Sequence, residues 1–213
     1  MTEITWKRKM TADFRVHIVD DDDAVRDSLL ELLDSVSIDA IGFDSADSFL
    51  SQLNPDILGC LILDIRMPGM SGLDLQKKLQ ELDITLPIIF ITGHADVPMA
   101  IEAMKHGAFE FIQKPFRDQQ LLDCINNAQK KAIQSYESDI EKKLVLERLN
   151  SLTEREKEVL DLLSEGHPNK VIAAKMEISQ RTVENHRANL LEKMQARSTA
   201  ALIKVLILAN SSD

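Results

Sequence analysis

Five polar side chains that can hold a cation or a phosphate follow apolar segments at four separate places in the chain. Asp20 and Asp21 follow the run RVHIV, Asp64 follows GCLIL, Thr92 ends PIIFIT, and Lys114 lies just beyond FEFI. Carboxylates forced together raise each other's pKa unless a cation neutralises them. Oxygen ligands without histidine or cysteine favour Mg²⁺, with calcium second because the spacing of an EF-hand loop is absent.

The same residues suit a phosphoryl group. If a metal ion bridges Asp21 and Asp64, one of the carboxylates can act as a nucleophile toward phosphorus. The metal and Lys114 would stabilise charge on the transferring group, and the Thr92 hydroxyl would donate to a phosphate oxygen. Each residue alone has a simpler structural explanation, such as an aspartate that caps a helix. The occurrence of all five residues at the ends of successive apolar segments is what indicates a site for a metal ion and a phosphoryl group.

Alternating elements are predicted to position these residues. The strand segments are RVHIV, IDAIGF, GCLIL, PIIFIT and FEFI, and helical patterns cover 24–36, 45–53, 71–82, 97–107 and the chain from 118 onward. Such alternation predicts an α/β fold with a doubly wound five-stranded parallel sheet. Ligands of these sheets bind beyond the carboxyl ends of the strands, where all five polar residues lie.

Composition indicates two domains with different partners. The 213 residues carry a formal net charge of -10, but residues 1–147 hold -11 and residues 148–213 hold +1. Cys60 and Cys124 have no metal or disulfide spacing, which suits a reducing compartment. No apolar run approaches the roughly 18 residues of a membrane span. The sequence therefore predicts a soluble, cytoplasmic protein without a membrane partner.

Between Phe116 and Thr153 the chain has neither proline nor glycine, and its leucine, isoleucine and alanine residues recur at nearly helical intervals. The last helix of the first domain is therefore predicted to extend outward as a semi-rigid spacer. Residues Ser135 to Ser138 could interrupt it. A coiled-coil dimer is an alternative, although the heptad pattern is imperfect.

The second half has only helical patterns. Four short helices are predicted, and a tight turn between the second and third indicates a helix-turn-helix. Thr153 with Glu156 makes a capping box, Gly166 ends the first helix, Pro168 opens the second, and Ser179 and Ser198 cap the last two.

The third of these helices carries an apolar and a polar face. Val183, His186, Leu190 and Met194 form the inner stripe, and the other face carries Arg181, Glu184, Asn185, Ala188, Asn189 and Glu192. Side chains of these types can read base edges in a major groove. Nearby cations are available for phosphate contacts, namely Lys170, Lys175, Arg181, Arg187, Lys193 and Arg197. A solvated polar face without a ligand remains the alternative.

The first half resembles the receiver domain of two-component response regulators, on the segments DD after the first strand, LDIRMPGMSG, ITGH and KPF. This resemblance implies a flavodoxin-like receiver fold. It implies that Asp64 accepts a phosphoryl group from a sensor histidine kinase. It also implies that Asp20, Asp21, Asp64 and the Arg66 carbonyl hold Mg²⁺, with Thr92 and Lys114 assisting. Phe111 takes the place of the family's rotating aromatic switch.

The second half resembles the LuxR-type DNA-binding domain on LTEREKEVL, NKVIAAKM, SQRTVENHRANLLEKM and ARSTAAL, and together the two halves resemble the NarL/FixJ group. The resemblance places Glu184, Asn185, Ala188 and Asn189 at base-reading positions. It places Arg181, Thr182 and Lys193 at positions that contact the DNA backbone. The charge pattern adds Lys170 and Arg187 to these expected backbone contacts. It implies a transcriptional regulator, an activator, that dimerises when phosphorylated and acts on promoter DNA and RNA polymerase.

The resulting division is an N-terminal extension (1–13), a receiver (14–130), a helical linker (131–149) and a helix-turn-helix domain (150–213). One alternative is a constitutive DNA-binding regulator whose receiver is only a dimerisation scaffold. Another is a Mg²⁺-dependent phosphotransfer enzyme. The enzyme would need a second acid/base near Asp64 and a domain that encloses substrate, and the sequence indicates neither. We therefore expect no enzymatic activity beyond the assistance that the receiver gives to its own phosphorylation and dephosphorylation.

Overall fold

The computed structural model describes residues 14–54, 57–93 and 97–210. The expected N-terminal extension, 1–13, lies outside these residues. The chain divides into two compact units, Met1–Tyr136 and Glu137–Asp213. Within the described ranges, no helix combines the length and apolar character needed to cross a membrane.

The first unit alternates strands and helices around a parallel sheet. The strands are β1 (Arg15–Val19), β2 (Ala40–Phe43), β3 (Gly59–Asp64), β4 (Ile88–Thr92) and β5 (Glu110–Gln113), and the helices are α1 (Asp23–Ser35), α2 (Ala46–Ser51), α3 (Gly72–Glu81), α4 (Val97–Lys105) and α5 (Asp118–Asn150). The strand order is β2-β1-β3-β4-β5, and every pairing is parallel. The predicted doubly wound fold is confirmed.

The sheet is covered on both faces because alternate strand residues point to opposite sides. Val19, Leu63 and Phe90 pack with the helices α2, α3 and α4. Ile18, Ile62 and neighbouring residues pack on the other side with α1 and the first part of α5. All six residues of β3 are buried. The sheet is therefore a rigid platform from which the ends of β1, β3 and β4 project.

The second strand begins two residues later than the sequence predicts. Ser37 has φ 58°, and the Ile38 N–H donates to the Leu33 carbonyl at 2.9 Å. Ile38 therefore closes the end of α1 rather than entering the sheet, as is typical of a left-handed helix terminus.

Helix caps explain the remaining aspartates of the DDDD run. The Asp22 carboxylate accepts from the backbone N–H groups of Ala24 and Val25, and Asp23 lies in the first turn of α1. A carboxylate at this end of a helix is favoured by the exposed N–H groups and the helix dipole. Asp22 is thus the N-cap of α1 and Asp23 is a first-turn carboxylate, so these two residues belong to the start of the helix.

The second unit contains the end of α5 and the helices α6 (Glu154–Ser164), α7 (Asn169–Lys175), α8 (Gln180–Lys193) and α9 (Thr199–Asn210). Thr153 and Glu156 form the predicted capping box, and Ser179 caps α8. Gly166, with φ 82°, ends α6 in the left-handed conformation that glycine adopts without strain. The predicted four helices and the tight turn before α8 are present.

The core of this unit joins all of its helices. Val159, Ile172, Val183 and Leu202 are fully buried in one cluster. Val145, on α5, is 3% exposed in the same cluster. Helix α5 is continuous, so Ser135 to Ser138 do not interrupt it.

Candidate functional site

The acidic pocket lies where three neighbouring strands end. Strand β1 pairs with β3 as far as Val19 opposite Leu63, so Asp20 and Asp64 follow adjacent positions in the sheet. Strand β4 pairs with β3 on its other side and ends at Thr92. Asp20, Asp64 and Thr92 are 4%, 8% and 1% exposed. Three polar side chains are thus buried at one edge of an apolar sheet.

Lys114 brings a positive charge to this edge from beyond β5. Its Nζ lies 2.8 Å from Asp20 Oδ2 and 3.7 Å from Asp64 Oδ1. The Lys114 backbone N–H donates to the Thr92 carbonyl at 2.9 Å, which ties the segment after β5 to the end of β4. The ammonium is therefore held between the two buried carboxylates.

The surroundings of Asp64 disfavour its ionised form. Burial raises the pKa of Asp64, and the nearby charges of Asp20 and Asp21 raise it further. The Arg66 N–H, which donates to Asp64 Oδ2 at 2.7 Å, and Lys114 oppose this shift but do not cancel it. The net pKa is raised, which means that an additional positive charge at this carboxylate would be stabilising.

The loop after β3 is packed closely against the Asp64 backbone. A Cβ on Gly72 would lie 2.2 Å from the Asp64 carbonyl oxygen, so only glycine fits. The Gly72 N–H donates to Ile65 O at 3.0 Å, and Ser71 caps α3. The start of α3 thereby fixes the backbone that carries Asp64 and Arg66.

The other predicted pocket residues are placed less deeply. Asp21 is exposed, although its charge acts on Asp64. The Arg66 side chain is exposed. Phe111 is partly buried on β5, opposite Phe90 in β4, and packs against the core on the α3 and α4 side. Asp20, Asp64, Thr92 and Lys114 thus converge, with Asp21 at the rim.

The donor set fits a hard cation that keeps water ligands. Within the described ranges, no three histidine, cysteine, aspartate or glutamate side chains form a metal cluster. Asp20 and Asp64 offer buried carboxylates, and further ligands would come from a backbone carbonyl and water. Mg²⁺ typically binds proteins through one or two carboxylates and retains several waters.

Sequence reasoning missed Arg26 as a supporting residue of this pocket. Its Nη1 donates to the Asp20 carbonyl at 2.6 Å, and its Nη2 pairs with Asp23. The guanidinium therefore holds the backbone at the end of β1 from the first turn of α1. The only indication of this role in the sequence is an arginine three residues after an aspartate at the start of a predicted helix.

The predicted base-reading face of α8 is open to solvent. Glu184, Asn185, Ala188, Asn189 and Arg181 are all exposed, whereas Val183, Leu190 and Met194 are buried. Lys170 on α7 is exposed, and Thr182 is partly buried with its hydroxyl 2.7 Å from Ser179 Oγ. His186, which the sequence places in the inner stripe, is only partly buried, whereas the other residues of the two predicted faces lie as the sequence predicts.

Two predicted DNA contacts make bonds inside the domain. Arg187 donates from Nη1 to Asn169 Oδ1 at 3.0 Å and from Nη2 to Thr199 Oγ1 at 2.6 Å. Lys193 Nζ lies 2.7 Å from Glu156 Oε2. Both cations are therefore engaged in bonds within the domain, unlike the exposed residues of the predicted base-reading face.

Glu156 is a buried carboxylate, 3% exposed, with two partners. Its Oε2 accepts from the Thr153 N–H at 2.8 Å and from Lys193 Nζ. Burial raises its pKa, but the hydrogen bonds from Lys193 and Thr153 outweigh burial, and the net pKa is lowered. The capping box of α6 and the end of α8 are thus joined by one ion pair.

Residues 16–126 match the response regulator receiver domain, and residues 150–206 match the bacterial regulatory proteins of the luxR family. The chain is 41% identical over 200 residues to the transcriptional regulatory protein FixJ of Bradyrhizobium diazoefficiens, covering 94% of this chain and 98% of that one. It is 44% identical over 190 residues to the response regulator protein TodT of Pseudomonas putida F1, covering 89% and 84%.

A solved structure of the response regulator StyR superposes with a TM-score of 0.83 at 41% identity, covering 92% of this chain and 98% of that chain. Relatives so similar over nearly the whole chain share both of its domains. The chain therefore belongs to the response regulators that combine a receiver domain with a LuxR-type DNA-binding domain, the group that includes FixJ.

Proposed function

We propose that this response regulator is a transcription factor switched by phosphorylation of Asp64. The observation that carries the proposal is the buried pair of Asp20 and Asp64 with the Lys114 ammonium between them. A nucleophile, a cation site and a fixed positive charge are the components of phosphoryl transfer. The donor is a sensor histidine kinase.

In this reaction a carboxylate oxygen of Asp64 attacks the phosphorus of the kinase phosphohistidine. The new P–O bond forms as the P–N bond breaks, and the histidine nitrogen leaves with the bonding electrons. Lys114 stabilises the phosphoryl oxygens, and the Thr92 hydroxyl donates to one of them. Asp20, Asp64 and the Arg66 carbonyl, with Asp21 at the rim, would hold Mg²⁺. The metal would neutralise charge on the transferring group.

The phosphorylated pocket would favour a second receiver conformation. The Thr92 side chain would move toward the phosphate. Phe111, which lies on the α4 side of the sheet, would repack together with Thr92. Phosphate can shift this equilibrium only by its difference in affinity for the two states. The altered surface around α4 and β5 would pair two chains.

A homodimer would present two copies of α8 to promoter half-sites related by two-fold symmetry. Glu184, Asn185, Ala188 and Asn189 would read bases, and Arg181, Thr182 and Lys170 would contact phosphates. The bound dimer would activate transcription through RNA polymerase. Since a bacterial promoter is in the cytoplasm, we infer that the protein works there.

The test uses the full chain, its Asp64→Asn variant and the control Asp27→Asn, an exposed aspartate on α1. With Mg²⁺ and acetyl phosphate, we expect the mass of the wild type and the control to rise by one phosphoryl group, and that of Asp64→Asn to stay unchanged. Beryllofluoride should raise dimerisation and DNA affinity in the first two proteins only. Equal modification of Asp64→Asn would contradict the phosphoacceptor. Beryllofluoride-independent DNA affinity would instead favour a receiver that is only a scaffold.

A further inference from the structure

Arg187 joins three helices of the DNA-binding unit. One nitrogen of its guanidinium donates to Asn169, the first residue of α7, and another donates to Thr199, the first residue of α9. Arg187 itself lies in the middle of α8 and is only partly exposed. A planar guanidinium presents its donors in a fixed fork, so two bonds to separate helices constrain the orientation of α8.

Both acceptors are neutral, an amide oxygen and a hydroxyl. Neither partner therefore neutralises the charge of Arg187. Two effects of this residue on DNA binding must then be separated, namely the attraction of its charge to phosphates and the orientation of α8. The two contributions predict different responses to salt and to sequence. A phosphate contact strengthens binding to all duplexes equally and adds about one unit to the salt slope.

The position of Arg187 along α8 makes its geometry relevant to base reading. It lies between Asn185 and Ala188, two exposed residues of the face turned to solvent. Because these side chains are carried by the same helical turn, a rotation or tilt of α8 would displace them together. Hydrogen bonds to base edges are sensitive to such displacements, whereas attraction to phosphates is not.

From this geometry we infer that Arg187 is a positioning residue that sets the sequence specificity of DNA binding, by holding α8 against the first residues of α7 and α9. This inference rests on the proposed reading of DNA by α8. It adds a determinant of specificity that does not touch a base.

The discriminating variant is Arg187→Lys, which keeps the charge but lacks the planar fork of donors that reaches both acceptors. The matched variant is the double substitution Asn169→Ala with Thr199→Val, which keeps Arg187 and removes both acceptors. The control is Lys170→Gln, which removes an exposed cation next to Asn169. Each full-length protein is activated with beryllofluoride. Binding is measured by anisotropy at several salt concentrations, at a temperature where circular dichroism shows the variants folded.

The probes are two duplexes, one enriched by the wild type from a random-sequence pool and one scrambled from it. We expect Arg187→Lys and the double variant to bind the enriched duplex about tenfold more weakly, the effect of weakening one base contact. Their affinity for the scrambled duplex and their salt slopes should equal those of the wild type. Combining the two variants should add little, because both remove the same bonds. Lys170→Gln should weaken binding to both duplexes and lower the slope by about one.

Wild-type affinity of Arg187→Lys for both duplexes would overturn the inference, as would equal weakening on both with a reduced salt slope. A wild type that enriches no sequence would contradict the proposed function together with the inference. Selective binding by the wild type that is unaffected in Arg187→Lys and in the double variant would overturn the inference alone.

Discussion

The Nζ of Lys114 lies 2.8 Å from Oδ2 of Asp20, although the two residues are 94 positions apart in the chain. The lysine side chain is 23% exposed and that of the aspartate is 5% exposed. Because the Asp20 carboxylate is almost fully buried, little water can replace Lys114 as its partner. Lys114, which is expected to bind the phosphate, is therefore also the charged partner of the buried Asp20 carboxylate.

Removal of the Lys114 charge should slow phosphorylation. In Lys114→Gln, we expect phosphorylation by acetyl phosphate to slow about 10²-fold, the size expected when one group that stabilises transition-state charge is lost. The measurement is the rate of mass increase at saturating Mg²⁺. Lys130→Gln, at an exposed site on α5, should react at the wild-type rate. An unchanged rate in Lys114→Gln would show that the ammonium is not part of the reaction.

Neutralisation of Asp64 should stabilise the metal-free protein. The raised pKa of this carboxyl means that the folded state binds its proton more tightly than the unfolded state. The ionised form therefore costs stability, and the cost is complete above the folded-state pKa. We expect Asp64→Asn to raise the melting temperature of the α/β unit at pH 7 in the absence of Mg²⁺.

Magnesium provides the second half of that experiment. Adding Mg²⁺ should raise the melting temperature of the wild type by mass action, and much less that of Asp64→Asn. The control Asp27→Asn should respond to Mg²⁺ as the wild type does. A melting temperature of Asp64→Asn below that of the wild type without Mg²⁺ would contradict the electrostatic description of the pocket.

His17 should make the α/β unit sensitive to mild acid. The ring is 8% exposed, packs against Phe43 and Phe49, and both of its nitrogens lack a hydrogen-bond partner in the described part of the chain. Burial lowers the pKa of His17 to about 4, and the charge of Arg15 adds to this effect. The unfolded state therefore takes up the proton first, near pH 6.5.

Stability should consequently fall as the pH drops below about 6.5, and the loss should level off near pH 4. From pH 7.5 to 5 the expected loss is on the order of 2 kcal/mol, since one pKa unit corresponds to about 1.4 kcal/mol. Urea unfolding of the wild type and of His17→Leu at both pH values measures it. The substituted protein should lose clearly less stability over this range, and equal losses would show that His17 is not the responsible group.

The Glu156–Lys193 pair should stabilise the DNA-binding unit. In Lys193→Gln the buried carboxylate would lose its charged partner, and we expect a loss of about 1–3 kcal/mol in the free energy of unfolding. Because the pKa of Glu156 is lowered in the folded state, this contribution is present above the usual glutamate pKa and disappears as the pH falls through the folded-state value. Unfolding followed at pH 7 and at a series of lower pH values should show the full difference at pH 7 and a progressive decrease of the difference below the usual glutamate pKa.

The fold was predictable because apolar runs and helical intervals alternate along the first half, and burial on both faces of a parallel sheet requires those runs. The sequence also predicted that four polar residues converge, because the ligand site of a doubly wound sheet lies at the carboxyl ends of its strands. These residues are Asp20, Asp64, Thr92 and Lys114. The roles of Arg187 and Lys193 did not follow, because each bond joins helices whose relative orientation depends on the packed core. A surface cation on an amphipathic helix has the same local pattern whether it contacts a phosphate or a neighbouring helix.

Where α5 ends has a practical consequence for recombinant work on the DNA-binding unit. Val145 belongs to the core of that unit, and Arg148 donates from Nη2 to Gln195 Oε1 at 2.7 Å, beside the end of α8. A fragment cloned from Asn150 onward would lack both residues and leave the hydrophobic surface beneath Val145 open to water. Expression from Glu137, where the compact unit begins, would retain them.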